Sequence, residues 1–239
     1  GCDPIEGVEI ESYSNEKDVI LAWGRLIQKQ DPDIITGYNI FGFDFSFIWD
    51  RAIELNCETE LSQLLGRVTN TPSYLKHQTL SSSAYGDNEM SYIYMKGRIQ
   101  MDLLKVIQRD HNLDSYKLDS VSSNFIKGNI ISKCVEYGIT KLTTNNIIGL
   151  TKNNYITLSQ DDSKYQDGKK LLVVDILEED KSIIIDGEHS DINTDKHSYK
   201  WGLSKDDVSP KEIFELQKKG DKERAIIAKY CVQDCVLCL

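Results

Sequence analysis

Asp31-Pro-Asp-Ile-Ile-Thr-Gly-Tyr-Asn-Ile-Phe-Gly-Phe-Asp44 is the stretch on which the fold of this chain turns. Asp33 to Thr36 holds a short β-branched run that reads as a buried strand, and Gly37 ends it. The loop that follows presents Asn39, Phe43 and Asp44 together. Phe45 to Leu55 then resumes a helical pattern.

Upstream, residues 15 to 30 form an amphipathic pattern. Asn15 is placed to cap a helix, Glu16 and Asp18 favour its positive end, and Val19, Ile20, Trp23, Leu26 and Ile27 recur at helical spacing. Downstream, the polar region from Thr69 to Glu89 reads as a surface loop or hairpin. Ser91 to Met95 and Gly97 to Asp102 read as strands, and Leu103 to His111 and Leu118 to Ile126 as helices. From Cys134 to Ser198 the chain becomes rich in Asn, Thr, Asp and Lys. Short runs at Tyr155–Leu158, Leu171–Val174 and Ile183–Ile185 are separated by Asp167-Gly168 and Asp186-Gly187 turn signals. This predicts a β-rich, barrel-like insert. Helices return at Pro210 to Lys218, capped by Ser209, and from Asp221 to the end.

At 239 residues, 40% hydrophobic and 28% charged, the composition is that of a globular chain rather than a disordered one. No uninterrupted apolar run approaches membrane-spanning length, and no signal peptide opens the sequence. Six scattered cysteines point to a reduced, intracellular protein rather than a disulfide framework. The net charge of −10 argues against nucleic-acid binding at first sight. Between Asp161 and Asp195, however, 11 Asp/Glu face 4 Lys, so that stretch carries −7 and the rest of the chain only −3.

A second signal closes the chain: Tyr230-Cys-Val-Gln-Asp234, with Tyr230 and Asp234 four apart on one helical face. Together with the 31–44 stretch, Gly97-Arg-Ile-Gln-Met-Asp102 and Ser115-Tyr-Lys-Leu-Asp-Ser-Val121, it resembles the second and third exonuclease motifs of family B DNA polymerases, most closely the delta type. The first motif of that family, a strand-borne Asp-x-Glu, is not found before them. The resemblance therefore implies a fragment, also indicated by a start at Gly1 without Met. It implies an α/β fold, ribonuclease-H-like, a mixed sheet flanked by helices but lacking its first strands. The exonuclease domain would occupy 1–133 and 199–239, with the β-rich insert at 134–198. An insert of this length points to a large DNA virus.

The implied activity is that of a DNA-directed DNA polymerase with 3′–5′ proofreading exonuclease. Phosphodiester hydrolysis needs an activated water and a stabilised leaving group, which two Mg2+ (or Mn2+) ions on hard oxygen ligands supply. By resemblance Asp44 and Asp234 are metal ligands and Tyr230 orients the attacking water. Asn39 and Phe43 hold the frayed 3′ end, and Tyr116 and Lys117 contact single-stranded DNA. The implied partners are the single-stranded 3′ end of a primer, the remainder of the polymerase chain and a sliding clamp, with no membrane. The implied location is the host nucleus or a viral replication compartment. The isolated chain is expected to have little or no nuclease activity.

Taken singly, these residues have plainer readings. Asp44 reads equally as a helix cap, Phe43 as core, Asp102 as a strand-end or capping residue, and Lys117 as a solvated charge. Two other readings of the whole stay open: an inactive exonuclease-like scaffold within a polymerase, and a stand-alone ribonuclease-H-like nuclease. Asp186-Gly-Glu188 mimics the missing Asp-x-Glu, but its order in the chain is wrong and a hairpin turn is expected there. Cys231, Cys235 and Cys238 have no fourth ligand nearby and are expected to be buried helix-face thiols rather than a zinc site.

Overall fold

The computed structural model describes residues 1–82, 86–204 and 210–239. The expected cap at Ser209 lies outside the described residues. Two compact units emerge: Gly1–Asn112 with Pro210–Leu239, and Leu113–Ser209 between them in sequence.

In chain order the first unit contributes α1 (Glu16–Gln30), β1 (Ile34–Gly37), α2 (Phe45–Glu54), α3 (Glu58–Leu65), β2 (Tyr74–Ser82), β3 (Gly86–Tyr94), β4 (Ile99–Asp102) and α4 (Leu103–Asp110). The second contributes α5 (Leu118–Phe125), β5 (Lys127–Glu136), β6 (Ile139–Thr144), β7 (Tyr155–Gln160), β8 (Ser163–Lys164), β9 (Leu171–Leu177), β10 (Ser182–Asp186) and β11 (Tyr199–Ser204). The chain returns to the first unit with α6 (Pro210–Gln217) and α7 (Asp221–Val236). The architecture is mixed α/β.

In the first unit, Asn15 caps α1 by accepting the Asp18 N–H at 2.9 Å. The buried face of α1 is Ile20, Leu21, Gly24 and Ile27. Val19 and Leu26, expected on that face, are 50% and 51% exposed, so the apolar stripe is rotated from its expected phase. The rotation follows from Gly24, where a Cβ would lie 2.9 Å from Leu61 Cδ1: the bare backbone lets α3 pack directly on α1. Helix α3 escapes the sequence reading because Cys57 at its N-cap makes no side-chain capping bond. Its Leu61 and Leu65 are nonetheless fully buried in a core with Phe45, Trp49, Ile93 and Met95. Strands β1 and β4 pair in parallel, Ile34 opposite Ile99 through Gly37 opposite Asp102. Strands β2 and β3 form an antiparallel hairpin. Arg98, 2% exposed at its side chain, bonds the carbonyls of Leu65 and Pro32 and pairs with Asp31 at 2.9 Å, tying the end of α1 to the entry of β4.

The second unit is a closed antiparallel barrel. Strand order runs β11-β5-β6-β10-β9-β7, and β7 pairs back onto β11, from Tyr199 opposite Gln160 to Ser204 opposite Tyr155. Closure removes the free edges of an open sheet. The insert's strands reach from Lys127 to Ser204, beyond the expected 134 and 198, because β5 and β11 pair at their outer ends, Gly202 opposite Lys127. Inside, Trp201 is 1% exposed and donates its indole N–H to Thr144 Oγ1 at 2.9 Å, and that hydroxyl donates to the Asn129 carbonyl at 2.8 Å. Gly128 makes room for this pair: a Cβ there would stand 2.6 Å from Trp201 Nε1. Asp186-Gly187 does not close a hairpin. β10 ends at Asp186, and the Gly187 carbonyl instead accepts from Thr140 Oγ1 at 2.8 Å, which pulls the chain into a long connection to β11.

Candidate active site

The loop after β1 is shaped by one buried carboxylate. Asp102, 2% exposed, ends β4 and caps α4 by accepting the Leu104 N–H at 3.0 Å. The same oxygen accepts the Asn39 N–H at 2.8 Å, and the other accepts the Phe41 N–H at 2.9 Å. Three backbone donors on one buried carboxylate fix the loop against the start of α4. The capping reading of Asp102 is therefore right, and capping is only part of its work.

Held this way, Asn39 adopts the left-handed conformation at φ 62°, tolerable for Asn. Its carbonyl receives the N–H of Gly42 at 3.0 Å and of Phe43 at 3.2 Å. A Cβ at Gly42 would collide with the Asn39 side-chain oxygen, so a larger residue there would force the Asn39 amide to move. Ile40–Asp44 winds as a π-turn into α2, closed by the Phe45 N–H on the Ile40 carbonyl. Such widened turns often occur at functional sites because they re-aim side chains.

The re-aiming is visible in the aromatics. Phe41 turns inward, its ring 6.1 Å from Phe45 and 5.8 Å from Tyr92. Phe43 turns outward and is 60% exposed, so it is not a core residue. It stacks on Phe47 one turn later in α2, with centroids 5.6 Å apart and planes 12° from parallel. Asp44 is solvent-accessible and makes no side-chain capping bond to α2, so the cap reading fails. Crowding by surrounding protein pushes its carboxyl above the usual range, and the charge of Asp102 adds to the rise.

Helix α7 brings the chain's last carboxylate to the same place. Gly220 N–H bonds Glu223 Oε2 at 3.2 Å at its start, and the Asp3 N–H bonds the Asp221 carbonyl at 3.1 Å. Tyr230 and Asp234 are half-buried on the helix, and Asp234 Oδ1 is shielded from solvent. Burial raises the Cys235 thiol, and the charges of Asp234 and Asp44 raise it further. Cys238 is raised by burial, then by Cys235, Asp234 and Asp102. Tyr38 is pushed up to about 12 by burial, with Asp102 and Cys238 adding to it. Asp44 and Asp234 thus both act on Cys235, and Asp234 and Asp102 on Cys238. Cys231 and Cys235 are exposed and Cys238 half-buried, contrary to the expected buried thiols. Tyr116 and Lys117 belong to the second unit, just before α5. The Tyr116 hydroxyl accepts the Leu113 N–H at 3.3 Å, and Lys117 is exposed.

Among the described residues, no group of three or more His, Cys, Asp or Glu is arranged to hold a metal ion. The donors that do gather are hard carboxylate oxygens, the right kind for Mg2+ or Mn2+. Among the described residues, no helix is long and apolar enough to cross a membrane. The sequence profile of the exonuclease domain of family B DNA polymerases matches residues 2–121, half of the chain.

The chain belongs to the family B DNA polymerases.

Within that family, it is 45% identical to the DNA polymerase of Pyramimonas orientalis virus over 239 residues, covering 99% of this chain and 18% of that protein. It is 35% identical to the DNA polymerase of Phaeocystis pouchetii virus over 243 residues, 95% of this chain and 23% of that one. The DNA polymerase delta catalytic subunit of Glycine max is 44% identical over 125 residues, 52% of this chain and 11% of the subunit. The chain thus spans less than a quarter of each of these relatives. The two viral family B polymerases match nearly all of it, the delta subunit about half.

Proposed function

We propose that this chain forms most of the proofreading exonuclease domain of a replicative family B polymerase, with a ribonuclease-H-like core. The observation that supports the reading is the clamp of Asp102 on the loop that carries Asn39, Phe43 and Asp44, in a chain whose α7 carries Tyr230 and Asp234 four residues apart. Asp44 and Asp234 would hold the two divalent ions, completed by an Asp-x-Glu pair that these residues do not include. When bound, the ions activate water and stabilise the leaving oxygen.

The chain's own residues do the remaining work. Asn39 binds the sugar or base edge of the last nucleotides, and Phe43 offers a ring on which a base stacks without regard to sequence. Tyr230 orients the attacking water from the same face of α7 as Asp234. Tyr116 and Lys117 guide the single strand. The carboxyl of Asp44 is raised first by desolvation and then by the charge of Asp102, and bound cations would relieve that repulsion. The substrate is the frayed 3′ end of a primer, and the partners are the rest of the polymerase and a sliding clamp. The polymerase works in the host nucleus or a viral replication compartment.

The test is 3′–5′ hydrolysis of a 5′-labelled single strand by the polymerase that contains this chain. Asp44→Ala and Asp234→Ala should each lower the rate by more than about 100-fold, beyond the 10–100-fold typical of outer-shell partners of a metal site. Polymerisation should persist. Unchanged hydrolysis in both variants would reduce the domain to a scaffold.

A further inference from the structure

The outer wall of the barrel carries a groove of about 550 Å³, built wholly from residues of the second unit. Its floor is the β7–β11 seam that closes the barrel. Along β7, Ile156 and Leu158 are buried while Thr157 and Ser159 line the groove. Along β11, Trp201 and Leu203 turn inward while Lys200 and Ser204 line it, the two-residue alternation of a half-buried strand. Lysines converge on this floor from four separate places: Lys127 at the start of β5, Lys164 in β8, Lys170 before β9, and Lys200.

The charge placement runs against the composition. Asp162 and Asp167 also line the groove, and Asp119 stands where it continues along α5. Four lysines thus meet three carboxylates there, whereas the other described residues of this unit hold seven lysines against eleven Asp and Glu. Asp162 pairs with Lys200 at 2.7 Å but is 83% exposed at its side chain, so a stronger anion displaces it at little cost. The remaining lining is hydroxyl-rich, with Ser123, Thr157, Ser159 and Ser204 able to donate to phosphate oxygens. No ring faces the groove: Trp201 lines it only from beneath, at 1% exposure.

We infer that this groove binds the phosphodiester backbone of a single-stranded nucleic acid. Ammonium groups and hydroxyls along a concave track are the means by which proteins follow a strand without reading it. The absence of an exposed ring excludes base stacking as the source of affinity. A duplex presents its phosphates on a convex cylinder, a poorer match for a concave track than a flexible single strand. The site is independent of the loop after β1 and of the metal-binding carboxylates.

The experiment is fluorescence anisotropy of labelled dT20 and U20 with the 239-residue chain in a Phe43→Ala background, so that the loop after β1 contributes no stacking. Lys127→Gln, Lys164→Gln and Lys200→Gln together should weaken binding by about tenfold at 50 mM salt and lower the log–log salt slope by about 2, at roughly 0.7 per phosphate contact. The corresponding triple Arg variant should retain both. Far-UV circular dichroism confirms that each variant is folded. Loss with either strand upholds the inference, and a preference between them names the strand. No binding by the lysine-bearing chain, an unchanged affinity and slope in the folded Gln variant, or tighter binding of a duplex would overturn it. Hydrolysis by the complete polymerase reads the other site separately, so the two proposals fail independently.

Discussion

The loop after β1 and the interior of the barrel solve opposite problems with the same polar groups. In the loop, Asp102 satisfies the backbone from within, and this leaves Phe43 and Asp44 exposed. In the barrel, the polar groups satisfy each other: Trp201 on Thr144, Thr144 on Asn129, Thr140 on Gly187. One arrangement spends a buried charge to display side chains, and the other uses neutral hydrogen bonds to hide them. The difference separates a surface shaped for chemistry from a body shaped for stability.

The comparison breaks first at Trp201. Trp201→Ala should cost about 3–5 kcal/mol, through the lost ring and the cavity it leaves. Amide exchange should speed throughout Leu113–Ser209 while β1, β4 and α2 keep their protection. Global loss of protection in both units would show that they unfold as one.

A smaller effect is expected at Asp102. Asp102→Ala strands the N–H groups of Asn39, Phe41 and Leu104, each worth about 1 kcal/mol net and more where the acceptor is charged. Its signature is local: faster exchange at residues 39–44 and a loss of hydrolysis by the complete polymerase, with the barrel unchanged. Hydrolysis at the unsubstituted rate would mean that the clamp is not needed to display the site.

The smallest effect is on pH dependence, and its sign differs between Asp44 and two carboxylates of the barrel. Asp191 is held below the usual carboxylate range by the Tyr165 hydroxyl at 2.6 Å, with Gln166 adding a second bond. Asp161 is likewise lowered by the Ser198 N–H and by His197. A lowered folded pKa gives stability that is present above the unfolded value, about 3.9, and lost as pH falls through the folded one. The barrel should therefore weaken below about pH 4. Asp44 is raised, so its contribution is present below the unfolded value and lost as pH rises through the folded one. Acidification should protect the loop after β1 before it loosens the barrel. Residue-resolved exchange between pH 3 and 6 checks the order.

Much of the first unit was legible because its signals are local. Asn15, the β-branched run before Gly37 and the repeat in α2 each dictate structure within a few residues. The family resemblance, carried by the same string, located the candidate site. What failed to show depends on partners distant in sequence. The phase of α1 is set by α3 through Gly24, and α3 has no capping side chain to announce it. Phe41 and Phe43 are chemically alike, and only the π-turn sends one inward and the other out. Strands of the barrel could be found from their composition, but the β7–β11 pairing that closes it spans some forty residues and leaves no local trace. Asp102 looked like a cap because that role is local, while its hold on Asn39 and Phe41 reaches back more than sixty residues.

The pairing of Gly202 with Lys127 has a further consequence for chain entropy. The first unit is interrupted by roughly a hundred residues, and closing a flexible loop of that length would cost about 0.6 kcal/mol for every doubling over a short one. Because β5 and β11 meet side by side, the folded barrel returns the chain close to where it left. To the carboxylates on either side of it, Asp44 before and Asp234 after, the long detour counts as a short connection. A domain can thus be inserted within another with little entropic penalty, provided it brings its own ends together.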